Sequence, residues 1–381
     1  MTLRLSLRYR GQTIGDAAGC ACHSRRAFLA GAGAIGAATI LSPAVAKAEA
    51  ATREPRTVDV HHHIYPPRYV SDNFDEIAKS IGPFATKVRT WSPTSAIDHM
   101  DQAGVATAIN SMTSPGVWFE DGDAARARAR VCNDYGAQMI RDFPGRFGMF
   151  AAIPLPDIDG SLKEIEYALD VLKLDGIGLV TSYAGKLLGD PAFAPVFEEI
   201  NRRKAVVFVH PTMSCCGNPM PGVSPPTIEF PMDTTRTITS LLFSGGFARH
   251  ADIRFIFSHG GGMPLPIVQR LYGAAAQMKP EERAIKMPKG LEYELTRQHY
   301  ELASIGFNPA GIAGLRKLIP NSRLLYGSDE PFLSTLQMTD ALQKLEFSSD
   351  DIAAIQRGNA LAVSAAADLT HTPQRARRPS R

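Results

Sequence analysis

Cysteine is scarce, five in 381 residues, and the five do not make a disulfide framework. Cys20 and Cys22 fall in a segment that reads as a removable signal. That leaves Cys132, Cys215 and Cys216, an odd number without metal-ligand spacing around the adjacent pair. A domain held together by sulfur has no support. Charge of one sign is missing too: 41 Lys and Arg stand against 38 Asp and Glu. The surplus sits in Arg4, Arg8, Arg10, Arg25 and Arg26 against Asp16 alone, so the body is close to neutral. No clustered basic face of the kind nucleic acid requires is left. Beyond Leu41 no apolar run is long enough to span a bilayer. No G-x-G-x-x-G follows the first expected strand, which removes support for a dinucleotide site, and no internal repeat is visible.

The N-terminus reads as an address. Ser24-Arg25-Arg26-Ala27-Phe28-Leu29 is a twin-arginine pattern, a Gly/Ala-rich run from Ala30 to Leu41 follows, and Ala44-Val45-Ala46 offers a small-x-small cleavage site. The pattern resembles signals read by the Tat machinery, so residues 1–48 are expected to be a cleaved signal and the protein to be exported folded to the periplasm. Residues 1–23 are longer than such signals need, which leaves room for a later start codon. The basic, proline-containing stretch 367–381 reads as a frayed tail. The body, 56–366, is a globular domain by composition, in a chain 44% hydrophobic and 21% charged.

Within that body, eight short apolar runs alternate with helical patterns. The runs are Val58–His63, Thr107–Met112, Phe147–Ile153, Gly176–Thr181, Val206–His210, Arg254–His259, His299–Ser304 and Arg323–Asp329. Most show little polar alternation, as strands buried on both faces should. Helices are expected over Pro93–Gly104, Ala124–Asp142, Asp159–Leu172, Ala192–Arg203, Asp233–Phe243, Pro309–Leu318 and Ser334–Leu345, with Gly104 as a stop and Asp233 as an N-cap. Uninterrupted β-α units imply a closed (β/α)8 TIM barrel.

Several of these runs end in an ionisable residue. Val58-Asp59-Val60-His61-His62-His63 puts His61 and His63 on one face of a strand and His62 on the other. Run five ends at His210, run six at His259 and run eight at Asp329. In a barrel these ends converge on one rim, the face where active sites lie. Histidine and carboxylate donors without thiolate suit Zn2+, with Mn2+ also possible. His61, His63, His210 and Asp329 are assigned to one divalent ion, with a position left for water or substrate. His259 is then a general acid/base, since imidazole exchanges protons near neutral pH. The fourth run offers no lysine or carboxylate to bridge a second ion, so the site is mononuclear.

DVHHHIYP, VHP, FPMDTTRTITSLLFSGG, FIFSHGGGMPLP and LLYGSDEPF, in this order, resemble the amidohydrolase superfamily. Within it they are similar to the amidohydrolase-related group typified by amino-carboxymuconate-semialdehyde decarboxylase, over Val58 to Val363. The resemblance implies a barrel, commonly a homodimer, with the ligand set above and His259 acting on metal-bound water. It implies that Arg270 reaches a neighbouring subunit's site to hold a substrate carboxylate. Phe332 and Trp91 are candidates to line the substrate pocket. The implied reaction is non-oxidative decarboxylation of an aromatic or enoic acid. Hydrolysis of an amide, lactone or ester is the alternative, because an activated water and a histidine base serve it equally. Two positions depart from the group. Its second substrate arginine has no aligned counterpart, although Arg89 lies near, and Glu330 stands where an aromatic is common.

Overall fold

The computed structural model describes residues 56–213, 220–262 and 264–365. The expected signal (1–48), the tail (367–381) and Cys20, Cys22, Cys215 and Cys216 lie outside them. Among the described residues, eight strands pair in chain order, every pair parallel: β1 (Thr57–His63), β2 (Val105–Ser111), β3 (Phe147–Ala152), β4 (Gly176–Val180), β5 (Val206–His210), β6 (Arg254–Phe257), β7 (His299–Glu301) and β8 (Leu324–Leu325). The ring closes between the last strand and the first. Val60 N–H donates to Tyr326 O (3.0 Å), Asp329 N–H to His61 O (2.8 Å) and His63 N–H to Glu330 O (2.9 Å). The (β/α)8 barrel expected from the sequence is present.

Three strands end two or more residues sooner than their apolar runs. β6 stops at Phe257 rather than His259, β7 at Glu301 rather than Ser304, and β8 keeps only two regular residues of Arg323–Asp329. The chain leaves the extended conformation because His259, Ser304 and Asp329 each turn to positive φ, at 54°, 64° and 63°.

Helices fill the crossovers. Pro93–Ala103 begins with a capping box, Ser92 Oγ accepting from Ser95 N–H at 3.1 Å, and ends at Gly104 with φ 74°. Asp121 caps Gly122–Asp142 and Asn308 caps Pro309–Leu318. Asp233 does not cap a helix. The helix starts earlier, at Pro225, and runs to Ser244 with Asp233 fully buried inside it. Proline at the first helical position is what allows the earlier start, and Asp233 Oδ2 instead accepts from Thr181 Oγ1 at 2.5 Å.

The core has two parts. One lies between strands and helices; the smaller fills the lower barrel with Val58, Val60, Phe150, Phe208 and Ile256, Phe150 and Phe208 being stacked at 5.6 Å. With Val58 and Val60 inside, strict alternation would also bring His62 inside. A register shift prevents it: Asp59 pairs with Ala108 and His62 with Asn110, so β1 carries one residue more than β2 over that step. The bulge turns His61 and His63 inward. Asp59 fixes it by accepting from His61 N–H (3.0 Å) and from Ser328 N–H (3.1 Å) and Oγ (2.5 Å). His62 faces outward, buried, 3.2 Å from Asn110 Oδ1. Among the described residues no helix is long and apolar enough to cross a membrane, and the one described cysteine, Cys132, is buried and free.

Candidate metal centre

His61 and His63 of β1, His210 at the end of β5 and Asp329 after β8 meet at the C-terminal rim, their ligand atoms all within 4.8 Å of one another. The tautomer of each ring follows from what faces Nδ1. His61 Nδ1–H donates to Glu301 Oε1 (2.8 Å), His63 Nδ1–H to Ser111 O (3.2 Å) and His210 Nδ1–H to Pro211 O (2.7 Å). Each ring therefore aims an Nε2 lone pair at the common point. His61 and His63 Nε2 stand 3.1 Å apart, and Asp329 Oδ1 lies 3.0 Å from His63 Nε2 and 3.3 Å from His61 Nε2. Ligands about 2.1 Å from one ion stand roughly 3 Å from each other. Acceptors crowded this closely without a donor among them fit a cation.

Electrostatics agree with the geometry. Burial works against charge on His61, yet Glu301 and Asp329 outweigh it and lift its pKa to about 10. Burial and the neighbouring rings push His210 well below the usual histidine value, and burial lowers His63. Burial also opposes ionisation of Asp329, but the imidazoles of His61, His259 and His63 around it outweigh burial and hold its carboxyl well below the usual range. Two ionised carboxylates beside three imidazoles call for positive charge at this point.

His259 stands beside the cluster rather than in it. Its Nε2 is 3.4 Å from Asp329 Oδ2, and its ring centroid is 5.0 Å from that of His61. Asp329 thus turns one oxygen to the ligand nitrogens and the other to His259. Both open onto a cavity of about 230 Å³, whose walls include Ile81, Phe84, Phe230, Phe332 and Leu333 and whose other polar groups are Thr113, Thr227 and Ser304. Among the described residues no lysine or arginine lines it. His259, Ser304 and Asp329 all have positive φ and all face this cavity, which is where strained backbone is expected to concentrate.

Of the residues proposed to contact substrate, Phe332 lines the cavity, its ring 5.6 Å from His63. Trp91 does not. The helical segment Ala85–Thr90 ends just before it, and Trp91 turns out in extended conformation to lie edge-on to Tyr65, in a separate groove with Phe74 and Arg89. Arg89 itself stacks on Phe74. Arg270, on the helix Pro264–Ala276, is exposed and lines no part of this chain's cavity; the expectation for it concerned a neighbouring subunit.

Sequence reasoning passed over Glu301. It holds His61 Nδ1 and also accepts from His259 N–H and, at 2.7 Å, from Ala303 N–H. The signal was available: a charged residue in the apolar run of the seventh strand, between Tyr300 and Leu302. Thr113 Oγ1, 3.2 Å from His210 Nδ1, carried no such signal.

Comparison with known proteins adds to the geometry. The family model described as amidohydrolase matches residues 58–363, most of the chain. The chain belongs to this family. Its curated relatives include decarboxylase yanB of Aspergillus niger, 35% identical over 76% of this chain and 81% of that protein. The 6-methylsalicylic acid decarboxylase of Penicillium expansum is 32% identical over 80% of this chain and 94% of its own. Among solved structures, the 5-carboxyvanillate decarboxylase of Novosphingobium aromaticivorans, complexed with manganese and a nitrobenzoic acid, superposes with a TM-score of 0.72. It is 19% identical over 82% of this chain and 96% of that one.

Proposed function

We propose that the protein is a metal-dependent, non-oxidative decarboxylase of a monocyclic hydroxybenzoic acid bearing a small apolar ring substituent. One observation carries the reading. The ligand cluster and the His259–Asp329 pair open together onto a small apolar cavity that, among the described residues, has no lysine or arginine. A cavity of about 150 Å³ takes benzene, so about 230 Å³ takes one substituted ring. A carboxylate entering such walls has to find its positive charge at the cluster. The two curated relatives above carry out decarboxylation, which favours it over hydrolysis.

His61, His63, His210 and Asp329 hold one divalent ion. When bound, it supplies positive charge opposite the carboxylate and adjacent hydroxyl oxygens of the substrate. Phe84, Phe230 and Phe332 enclose the ring and exclude water. The bond between ring carbon and carboxylate breaks, CO2 leaves, and the electron pair stays with the ring carbon. The His259–Asp329 pair delivers the proton that forms the new C–H bond, and solvent restores it. Zinc is our assignment for the ion from three nitrogens and one carboxylate; manganese, present in the similar solved structure, is the rival that elemental analysis separates. We further propose a homodimer in which Arg270 serves the partner's site, and Tat-dependent export to the periplasm.

The metal-loaded protein is tested with 6-methylsalicylic acid. The expected products are CO2 and 3-methylphenol, with deuterium at the vacated ring carbon when the reaction runs in D2O. Hydrolysis of aryl esters or lactones without CO2 release from any hydroxybenzoate overturns the reading.

A further inference from the structure

The N-terminal ends of β6, β7 and β8 border a second cavity, away from the metal centre. Arg254 opens β6, His299 opens β7 and Arg323 immediately precedes β8. With Arg297, these side chains line an open cleft of about 480 Å³, and among the described residues no Asp or Glu lines it. Their hydrogen bonds leave much of the guanidinium capacity unused. Arg254 donates to Val363 O (2.7 Å) and Lys204 O, and Arg323 donates to His299 Nε2 (2.9 Å). A guanidinium has five N–H groups in a planar fork. Among the described residues neither Arg254 nor Arg323 has an ion pair with a carboxylate, whereas Arg297 pairs with Glu294 at 2.8 Å.

His299 completes the arrangement without adding charge. Its Nε2 accepts from Arg323, which requires an uncharged ring, and burial and Arg323 together lower its pKa to about 4. The ring therefore orients Arg323 and leaves the cleft with two guanidiniums that have no direct carboxylate partner among the described residues, Asp252 acting on Arg254 only from a distance. Partly buried charges are costly when unpaired, and two guanidiniums lining one cleft suit the oxygens of a tetrahedral oxyanion. We propose that this cleft is a binding site for a phosphate-type dianion, held by Arg254 and Arg323 with Arg297 at its edge.

Arg323 is the residue to change, because its recorded contact is to a side chain, whereas Arg254 ties down two backbone carbonyls. Inorganic phosphate is titrated calorimetrically into the full chain, and melting temperature is compared in phosphate and in sodium chloride of equal ionic strength. The expected result is saturable binding with a rise in melting temperature that chloride does not give. Arg323→Gln should weaken binding at least tenfold, and Arg323→Lys should retain part of it. A stable Arg323→Gln that binds phosphate as the parent does places the anion elsewhere, at the metal centre for instance, and overturns the proposal. So does the absence of binding, or an equal effect of chloride. If Arg323→Gln does not fold, Arg323→Lys decides: undiminished affinity refutes the fork, and weakened affinity supports it.

Discussion

Replacing Glu301 by Gln tests the metal centre without touching a ligand. Both Glu301 oxygens are occupied: Oε1 accepts from His61 Nδ1–H and His259 N–H, and Oε2 from Ala303 N–H. Glutamine has one acceptor oxygen and one NH2. If the oxygen stays toward His61, the NH2 confronts Ala303 N–H. If it turns to Ala303, His61 faces a donor and is pushed to the tautomer with its proton on Nε2, where the ion should sit. The substitution also removes a buried negative charge that stands 2.8 Å from His61 and opposes the ion's own charge favourably. Removing a partner of this kind lowers metal affinity by about 10–100-fold, or about 1.4–2.8 kcal/mol at 1.4 kcal/mol per decade. Competition titration against a chelator of known affinity measures it, with circular dichroism confirming the fold. A folded Glu301→Gln whose affinity stays within twofold of the parent would refute the claim that Glu301 sets the His61 tautomer.

His259→Ala should keep its metal and lose roughly a hundredfold or more in decarboxylation rate; loss of the metal by elemental analysis would instead make His259 a ligand. Asp329→Asn should abolish turnover, since it removes both a charged ligand and the partner of His259, and full activity would end the case for this rim. Gly327→Ala should lower metal content and melting temperature together, because its Cβ would run into the Glu301 carboxylate and His61 Cβ; an unchanged metal content would contradict that packing. His99 gives a pH test: its bond to Glu330 (2.7 Å) raises its pKa above the usual 6.5, against burial, while Glu330, despite its burial, is held low by His99. The pair should therefore stabilise fully between about pH 4.5, below which Glu330 begins to protonate, and about pH 6.5, and fade as pH rises through the raised His99 value. The melting-temperature gap between parent and His99→Ala should close over that rise, and a gap independent of pH refutes the pairing. His99 is half exposed, so the effect is modest.

Why some of this was legible in the sequence and some was not follows from how far each signal reaches. Strand runs are local: a segment such as Val206–His210, buried along its whole length, announces itself by unbroken hydrophobicity. Its closing histidine marks the rim for the same reason, since an ionisable group at the end of a buried run needs a partner. Glu301, Asp59 and Thr113 act through residues far away in the chain, and only coordinates bring them together. The β1 bulge is likewise invisible locally. Alternation correctly placed His61 and His63 on one side, but which side faces the axis depends on the extra residue set against β2.

The errors at the ends of β6, β7 and β8 have a single origin. Their apolar runs continue past the last regular strand residue, because the next side chains still pack inside, while the backbone at His259, Ser304 and Asp329 turns to positive φ. L-residues hold sparsely populated backbone conformations at a cost of roughly 1–3 kcal/mol each, and nothing in local propensity favours them there. The turns do aim the three side chains into one cavity, which a straight continuation of the strands, with its side chains alternating between barrel axis and helix layer, would not do. The sequence rules for strands therefore fail at the rim because the rim is where the chain is bent away from them, and the bend is held by contacts such as Asp329 N–H to His61 O, 2.8 Å, and Glu301 to His259 N–H. On this argument the strain and the ligand geometry are one feature.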